Sequence, residues 1–327
     1  MGERSTERED ACRGRESRRD FLAKAAGVAL TAAGATEAGA VAQTPAAPAP
    51  ALPRITIGGV SIARMVIGCN PIGGWSHQTR NTTLAMTDYF TLENTVRFLQ
   101  RCEAAGLDTW LTYWDDKPLR ALKARWEQGS QLRPYFMGEL PEGGRLSREV
   151  LEYRTRYFVH HGNVTDGLFR AGRREQVHDF VKRVHDQLGV PAGISAHDPE
   201  CIRYADEKGW EADFYQCSLY YVTRPREEVR ARLNAVPLGG SLFLDTDRDT
   251  MLSVIRQVRK PCLAFKILGA GWHCGTDEEV EEAFRYALRG IKPTDGIIVG
   301  MWPKFKDEIA QNVAFLRRHG AVRPAPA

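Results

Sequence analysis

The sequence predicts a (β/α)8 barrel. Eight short apolar runs, each bounded by Gly, Pro, Asp or a charge cluster, alternate with stretches of helical periodicity. The chain beyond its N-terminal leader is long enough for one large domain. No Gly-x-Gly-x-x-Gly follows the first strand, which places a doubly wound open sheet second to the closed barrel.

The elements follow in order. Residues 17–24 read Ser-Arg-Arg-Asp-Phe-Leu-Ala-Lys, and a weakly apolar stretch leads to Ala40-Val41-Ala42. This resembles a twin-arginine export signal over 1–42, with Gln43 as the first mature residue. The resemblance implies a protein folded before export, the twin-arginine machinery as a partner, and a periplasmic or extracellular destination. The alternative is an Ala-rich tail. The apolar stretch is too short for a membrane span, and Lys24 interrupts it. Residues 43–53, rich in Pro and Ala, form a semi-stiff linker. Ile55 to Ile62 reads as a hairpin turning at Gly58-Gly59, placed to plug the N-terminal end of a barrel spanning 54–320. The strands are Met65–Cys69, Thr109–Thr112, Pro134–Glu139, Tyr157–His161, Ala192–Ala196, Phe214–Leu219, Cys262–Ile267 and Gly296–Val299. Val177, Val181, Val184 and Leu188 recur at helical spacing, as do Val280, Phe284 and Leu288, then Ile309, Val313 and Leu316. A further helix is expected around Leu146–Tyr153. Residues 321–327 form a tail.

Composition excludes several classes. The leader holds seven basic and seven acidic residues, so the net charge of +4 belongs to the mature part. Its basic residues are dispersed and not interleaved with aromatics, which argues against nucleic acid. No mature stretch spans a bilayer. The seven cysteines form no C-x-x-C pair, excluding a zinc ribbon or thioredoxin-like motif.

Barrel chemistry gathers at the C-terminal ends of the strands, and alternation decides which side chains face inward. In the seventh strand Leu263, Phe265 and Ile267 suit packing against helices. Cys262, Ala264 and Lys266 then share the inward parity, so Lys266 is expected in the mouth. In the fifth, Gly193, Ser195 and His197 point inward. One of His160 and His161 must face the mouth, and parity alone leaves both open. Glu139 ends the third strand. Glu139, His161 and His197 make a candidate divalent-metal set, and a Glu139–Lys266 ion pair accounts for Glu139 equally well. Gln216, Ser218 and Tyr220 are polar candidates for substrate contact, with Asn70, Trp75, His77 and Asp116 near the entrance. Aromatic and amide side chains together suit a sugar ring. Two long connections, 70–91 and 221–247, leave the same end and suit a lid, with Gly73-Gly74 and Gly239-Gly240 as hinges or turns.

Ile55 to Gly74, Ala192-Gly193-Ile194-Ser195, Tyr215 to Tyr220, and Ile297-Ile298-Val299-Gly300 with Ile309 and Asn312 together resemble the aldo-keto reductase family. The resemblance covers nearly the whole mature chain in layout. It implies NADPH held by Ser195, Gln216, Gly300, Lys304 and Asn312. The family's catalytic Asp, Tyr and Lys fall approximately at Leu111, Asp116 and Glu139 here; only the His is kept, as His160 or His161. The arginine-rich phosphate grip becomes Met301-Trp302-Pro303-Lys304. The expected function is therefore acid–base chemistry by Lys266, the histidines and Glu139 on a small polyhydroxylated or carbonyl-bearing substrate, of epimerase, lyase or hydrolase type. A divergent NADPH-dependent oxidoreductase and a non-catalytic ligand-binding barrel are the alternatives.

Overall fold

The computed structural model describes residues 51–233 and 241–321. The expected leader, most of the linker, Gly239-Gly240 and nearly all of the C-terminal tail lie outside them. An antiparallel hairpin comes first, β1 (Arg54–Ile57) and β2 (Val60–Ala63). Gly58 and Gly59 both have positive φ, 53° and 76°, as a tight two-residue turn requires. Eight parallel strands follow: β3 (Met65–Ile67), β4 (Thr109–Thr112), β5 (Arg133–Gly138), β6 (Phe158–His160), β7 (Ala192–Ala196), β8 (Phe214–Ser218), β9 (Cys262–Phe265) and β10 (Gly296–Val299). β10 pairs with β3 and closes the ring. This is the (β/α)8 barrel that the alternation predicts.

Two buried clusters define inside and outside. Val66, Leu111, Tyr135, Val159, Phe214, Leu263 and Ile298 fill the barrel interior together with Ile55, Ile57 and Ile62 of the hairpin. The hairpin is thus the expected plug, and Tyr157 donates its hydroxyl to the Ile57 carbonyl (3.3 Å). The second cluster lies between strands and helices and includes Ala192, Ile194, Cys217, Cys262 and Ala264.

This corrects the seventh strand. Leu263 belongs to the interior cluster and Phe265 packs against it, while Cys262 and Ala264 face the helices. Bulky residues are wanted inside because the barrel is a packed core. By alternation Lys266 would then point outward, but β9 stops at Phe265 and Lys266 has φ +60°. The strand rule does not reach it.

Among the described residues the connection after β3 carries three helices, Asn70–Gly73, Arg80–Tyr89 and Leu92–Ala104, and the one after β8 carries Arg226–Leu233 and Asp245–Gln257. Gly74 ends the first of these in a left-handed cap (φ 73°), a turn by geometry. The helix expected around Leu146–Tyr153 shrinks to Glu149–Glu152. Among the described residues no helix is long and apolar enough to cross a membrane.

Candidate active site

His197 follows β7 and keeps the inward register of Gly193 and Ser195. Its partner is Asp166, a wholly buried carboxylate on the helix Gly162–Arg170. Asp166 Oδ2 accepts from His197 Nδ1 at 2.9 Å and from Thr223 Oγ1 at 2.7 Å. The amides of His197 and Asp198 donate to the other oxygen, Oδ1, each at 3.2 Å. Nδ1 therefore carries the proton, and Nε2 keeps its lone pair. Nε2 has no hydrogen-bond partner among the described residues. Burial lowers the His197 pKa, the Asp166 hydrogen bond opposes this, and the Lys266 charge adds to it. His197 is thus a neutral, oriented base. Gly162 permits the close approach, since a Cβ there would sit 3.1 Å from His197 Cε1 and from Ser195 Oγ.

Lys266 Nζ lies 3.0 Å from His77 Nε2 and over the Phe265 ring (5.2 Å to its centroid). Asn70 Nδ2 reaches the same Nε2 at 3.3 Å. Two donors on one nitrogen make it the acceptor, so His77 is neutral and Nδ1 donates to Ser241 Oγ (3.3 Å). Burial, then the charge of Lys266, pushes His77 down to about 4. Burial likewise lowers Lys266 to about 8. His77 and Lys266 are two of the four non-glycine residues with positive φ among the described residues, at 58° and 60°. Each such conformation costs roughly 1–3 kcal/mol and tends to gather at functional sites. Here the two strained residues hold each other.

The structure separates the two adjacent histidines. His160 faces outward, bonded through Nδ1 to Thr165 Oγ1 (2.7 Å) and edge-on to Phe180 at 4.8 Å. Burial pushes it down to about 3. It is a core residue, which removes it from the catalytic set. His161 sits at the start of the helix Gly162–Arg170. Its Nδ1 is buried without a partner among the described residues, and the charges of Glu139, Lys266 and Asp166 all reach its ring. An unsatisfied buried nitrogen costs about 1–3 kcal/mol.

Other expectations are redrawn. Glu139 is exposed, and Lys266 is bonded to His77, so the Glu139–Lys266 pair does not form. No group of three His, Cys, Asp or Glu side chains among the described residues is placed to hold a metal, so Glu139, His161 and His197 are not assembled as ligands. Asp116 lies exposed at the start of its helix and pairs with Arg120 (3.2 Å). Ser218 closes its own turn by donating to the Tyr220 carbonyl (2.7 Å). Tyr220 bonds His273 Nε2 through its hydroxyl (2.8 Å). Trp75 is exposed and meets Tyr113 edge-on.

The nicotinamide set does not fit. Gln216 Oε1 accepts from Tyr135 (2.9 Å) and Nε2 donates to Ser195 Oγ (3.2 Å), so the amide is consumed inside the barrel. Gly300 is crowded by Pro71 and by Gly68. Lys304 is exposed over the Trp302 and Phe305 rings, and Asn312 is buried in the closing helix. Where a phosphate would bind, Glu308 takes the Trp302 amide (2.6 Å) and Asp307 caps the helix. Asp307 also pairs with Arg101 (2.7 Å), so that guanidinium is already engaged.

Asp166, Thr223 and Ser241 escaped the sequence reading. Asp166 had a signal: Gly162, Thr165, Asp166 and Phe169 form the buried stripe of their helix. An Asp within such a stripe needs donors.

Fold and site together define a (β/α)8 barrel whose mouth holds an Asp–His pair and a half-buried lysine. No protein-family model matches the chain, and no curated protein does. Solved structures do match. A glycerol dehydrogenase from Gluconobacter oxydans is 14% identical over 84% of this chain and 98% of its own, with a TM-score of 0.47. An aldo-keto reductase from Bacillus halodurans is 11% identical over 84% and 92%, at 0.46. A dihydropteroate synthase from Xanthomonas albilineans is 14% identical over 84% and 100%, at 0.44. The likeness lies in the barrel fold.

Proposed function

We propose that this barrel is an enzyme that moves a proton next to a carbonyl group of a small polyhydroxylated substrate, by epimerisation or elimination. The observation that carries this reading is the oriented His197–Asp166 pair sharing one mouth with Lys266. His197 Nε2 takes the proton. The Lys266 ammonium, still mostly charged at neutral pH, donates to the oxygen on which negative charge develops. His161 and Asn70 offer nitrogen atoms for substrate hydroxyls.

The test is solvent exchange. Aldoses and ketoses incubated with the protein in D2O should gain deuterium beside the carbonyl, seen by NMR, without any change in NADPH absorbance. Carbonyl-dependent oxidation of NADPH, with micromolar binding of the cofactor, would replace this reading by the reductase.

We further propose export by the twin-arginine route, supported by Arg18-Arg19 before Phe21. Changing both arginines to Lys should hold the folded protein in the cytoplasm. Undiminished appearance outside it would rule the route out.

A further inference from the structure

The described residues expose six large apolar side chains: Trp75, Leu84, Trp114, Leu233, Trp272 and Phe305. Four of them, Trp75, Trp114, Trp272 and Phe305, follow the C-terminal ends of β3, β4, β9 and β10 within eight residues. Leu84 and Leu233 lie on helices farther along their connections. Scattered exposed apolar residues need no explanation, but four aromatics at the exits of the strands do.

Three of the six are indoles. Trp75 meets Tyr113 at 4.5 Å, and Trp114, the next residue, stands edge-on to Phe136 at 5.3 Å. Trp272 is tied to the Trp75 connection through Gln78 Nε2, which donates to the Ala270 carbonyl (2.9 Å). His77, the residue that holds Lys266, lies in that connection between Trp75 and Gln78. Trp75 and Trp272 therefore stand in the two connections that hold the Lys266–His77 pair.

Exposed carboxylates stand near them, at Asp115, Asp116 and Asp245, the last two paired with Arg120 and Arg248. Flat apolar faces interrupted by acceptors match the surface of a sugar chain. The C–H face of each ring lies on an aromatic, and its hydroxyls donate to carboxylates. Separate rings among charges differ from the charge-depleted centre of a protein interface.

We propose that the mouth rim binds an uncharged oligosaccharide, with one sugar unit at Lys266 and its neighbours on Trp75, Trp114 and Trp272. This rests on the polyhydroxylated substrate of the proposed function and extends it from a single sugar to a chain.

The experiment is calorimetric titration of the full chain carrying Lys266→Met, which removes turnover. The probes are cello-, xylo- and malto-oligosaccharides of one to six units, with phosphatidylglycerol vesicles as the competing occupant. Affinity for one series should climb with length by about tenfold or more. Trp114→Ala and Trp272→Ala should each remove most of that gain and leave single-sugar binding unchanged. Length-independent affinity, no binding in any series, indifference to both tryptophans, or binding to the vesicles would overturn the proposal. Proton exchange in D2O reports separately. If exchange fails while length-dependent binding persists, only the acid–base chemistry falls. If exchange succeeds and the length dependence is absent, only the oligosaccharide falls.

Discussion

Lys266→Met should fold at least as well as the parent and lose activity by about a hundredfold or more, as expected for loss of an oxyanion donor. Met keeps the length of the side chain and removes an ammonium that the fold accommodates at a cost. The cost has a sign that can be followed with pH. Below about 8 both folded and unfolded chains hold the Lys266 proton, and the folded state bears the full penalty of the buried charge. Between about 8 and the ordinary 10.5 the folded state is neutral while the unfolded chain still binds the proton. Stability contributed by this residue therefore rises across that window. Thermal melts of parent and variant should differ most at neutral pH and converge toward pH 10.5. His77 keeps Asn70 as a donor when Lys266 is gone, so no acceptor is stranded. A clear loss of stability with per-molecule activity intact would sink the catalytic assignment.

The fold was legible because barrel strands are short apolar runs between breakers. Thr109–Thr112, Ala192–Ala196 and Gly296–Val299 match their expected limits to the residue. The site was legible only in part. His197 followed from β7 register, which holds to the strand end. Lys266 reached the mouth through a left-handed residue that no alternation rule foresees, and the inward parity assigned to Cys262 and Ala264 was the reverse of the observed one. His160 and His161 needed the helix beyond them, since only Phe180 and Thr165 decide which ring is enclosed. Glu139 looked like a partner because it ends a strand, but burial decides partnership and Glu139 is exposed. The Asp166–His197 pair joins residues 31 apart, and Thr223 reaches Asp166 from 57 away. Sequence spacing carries no trace of such contacts.

The second large effect is expected at Asp166. Asp166→Asn replaces an acceptor of several hydrogen bonds with a group that must also donate. An amide NH2 facing His197 Nδ1 turns that nitrogen into the acceptor, which moves the ring proton to Nε2 and removes the base. Activity should fall by on the order of a hundredfold to ten-thousandfold, the range spanned by loss of a general base and by a wrong histidine tautomer. Stability should fall too, by about 1–3 kcal/mol for each buried donor left unpaired. Because instability alone lowers activity, Thr223 supplies the sharper test. Its hydroxyl donates to Oδ2, the same oxygen that receives His197 Nδ1. Thr223→Val removes that donor and leaves Oδ2 to His197, through its ring and its backbone amide. The carboxylate then holds the charged imidazolium more strongly, so the His197 pKa should rise and the acid limb of the pH–rate profile should move up with it. Thr223→Ser keeps the hydroxyl and should restore the parent profile. If Thr223→Val lowers the melting temperature but leaves the acid limb in place, Asp166 is only a structural acceptor, and His197 loses its claim to be the base.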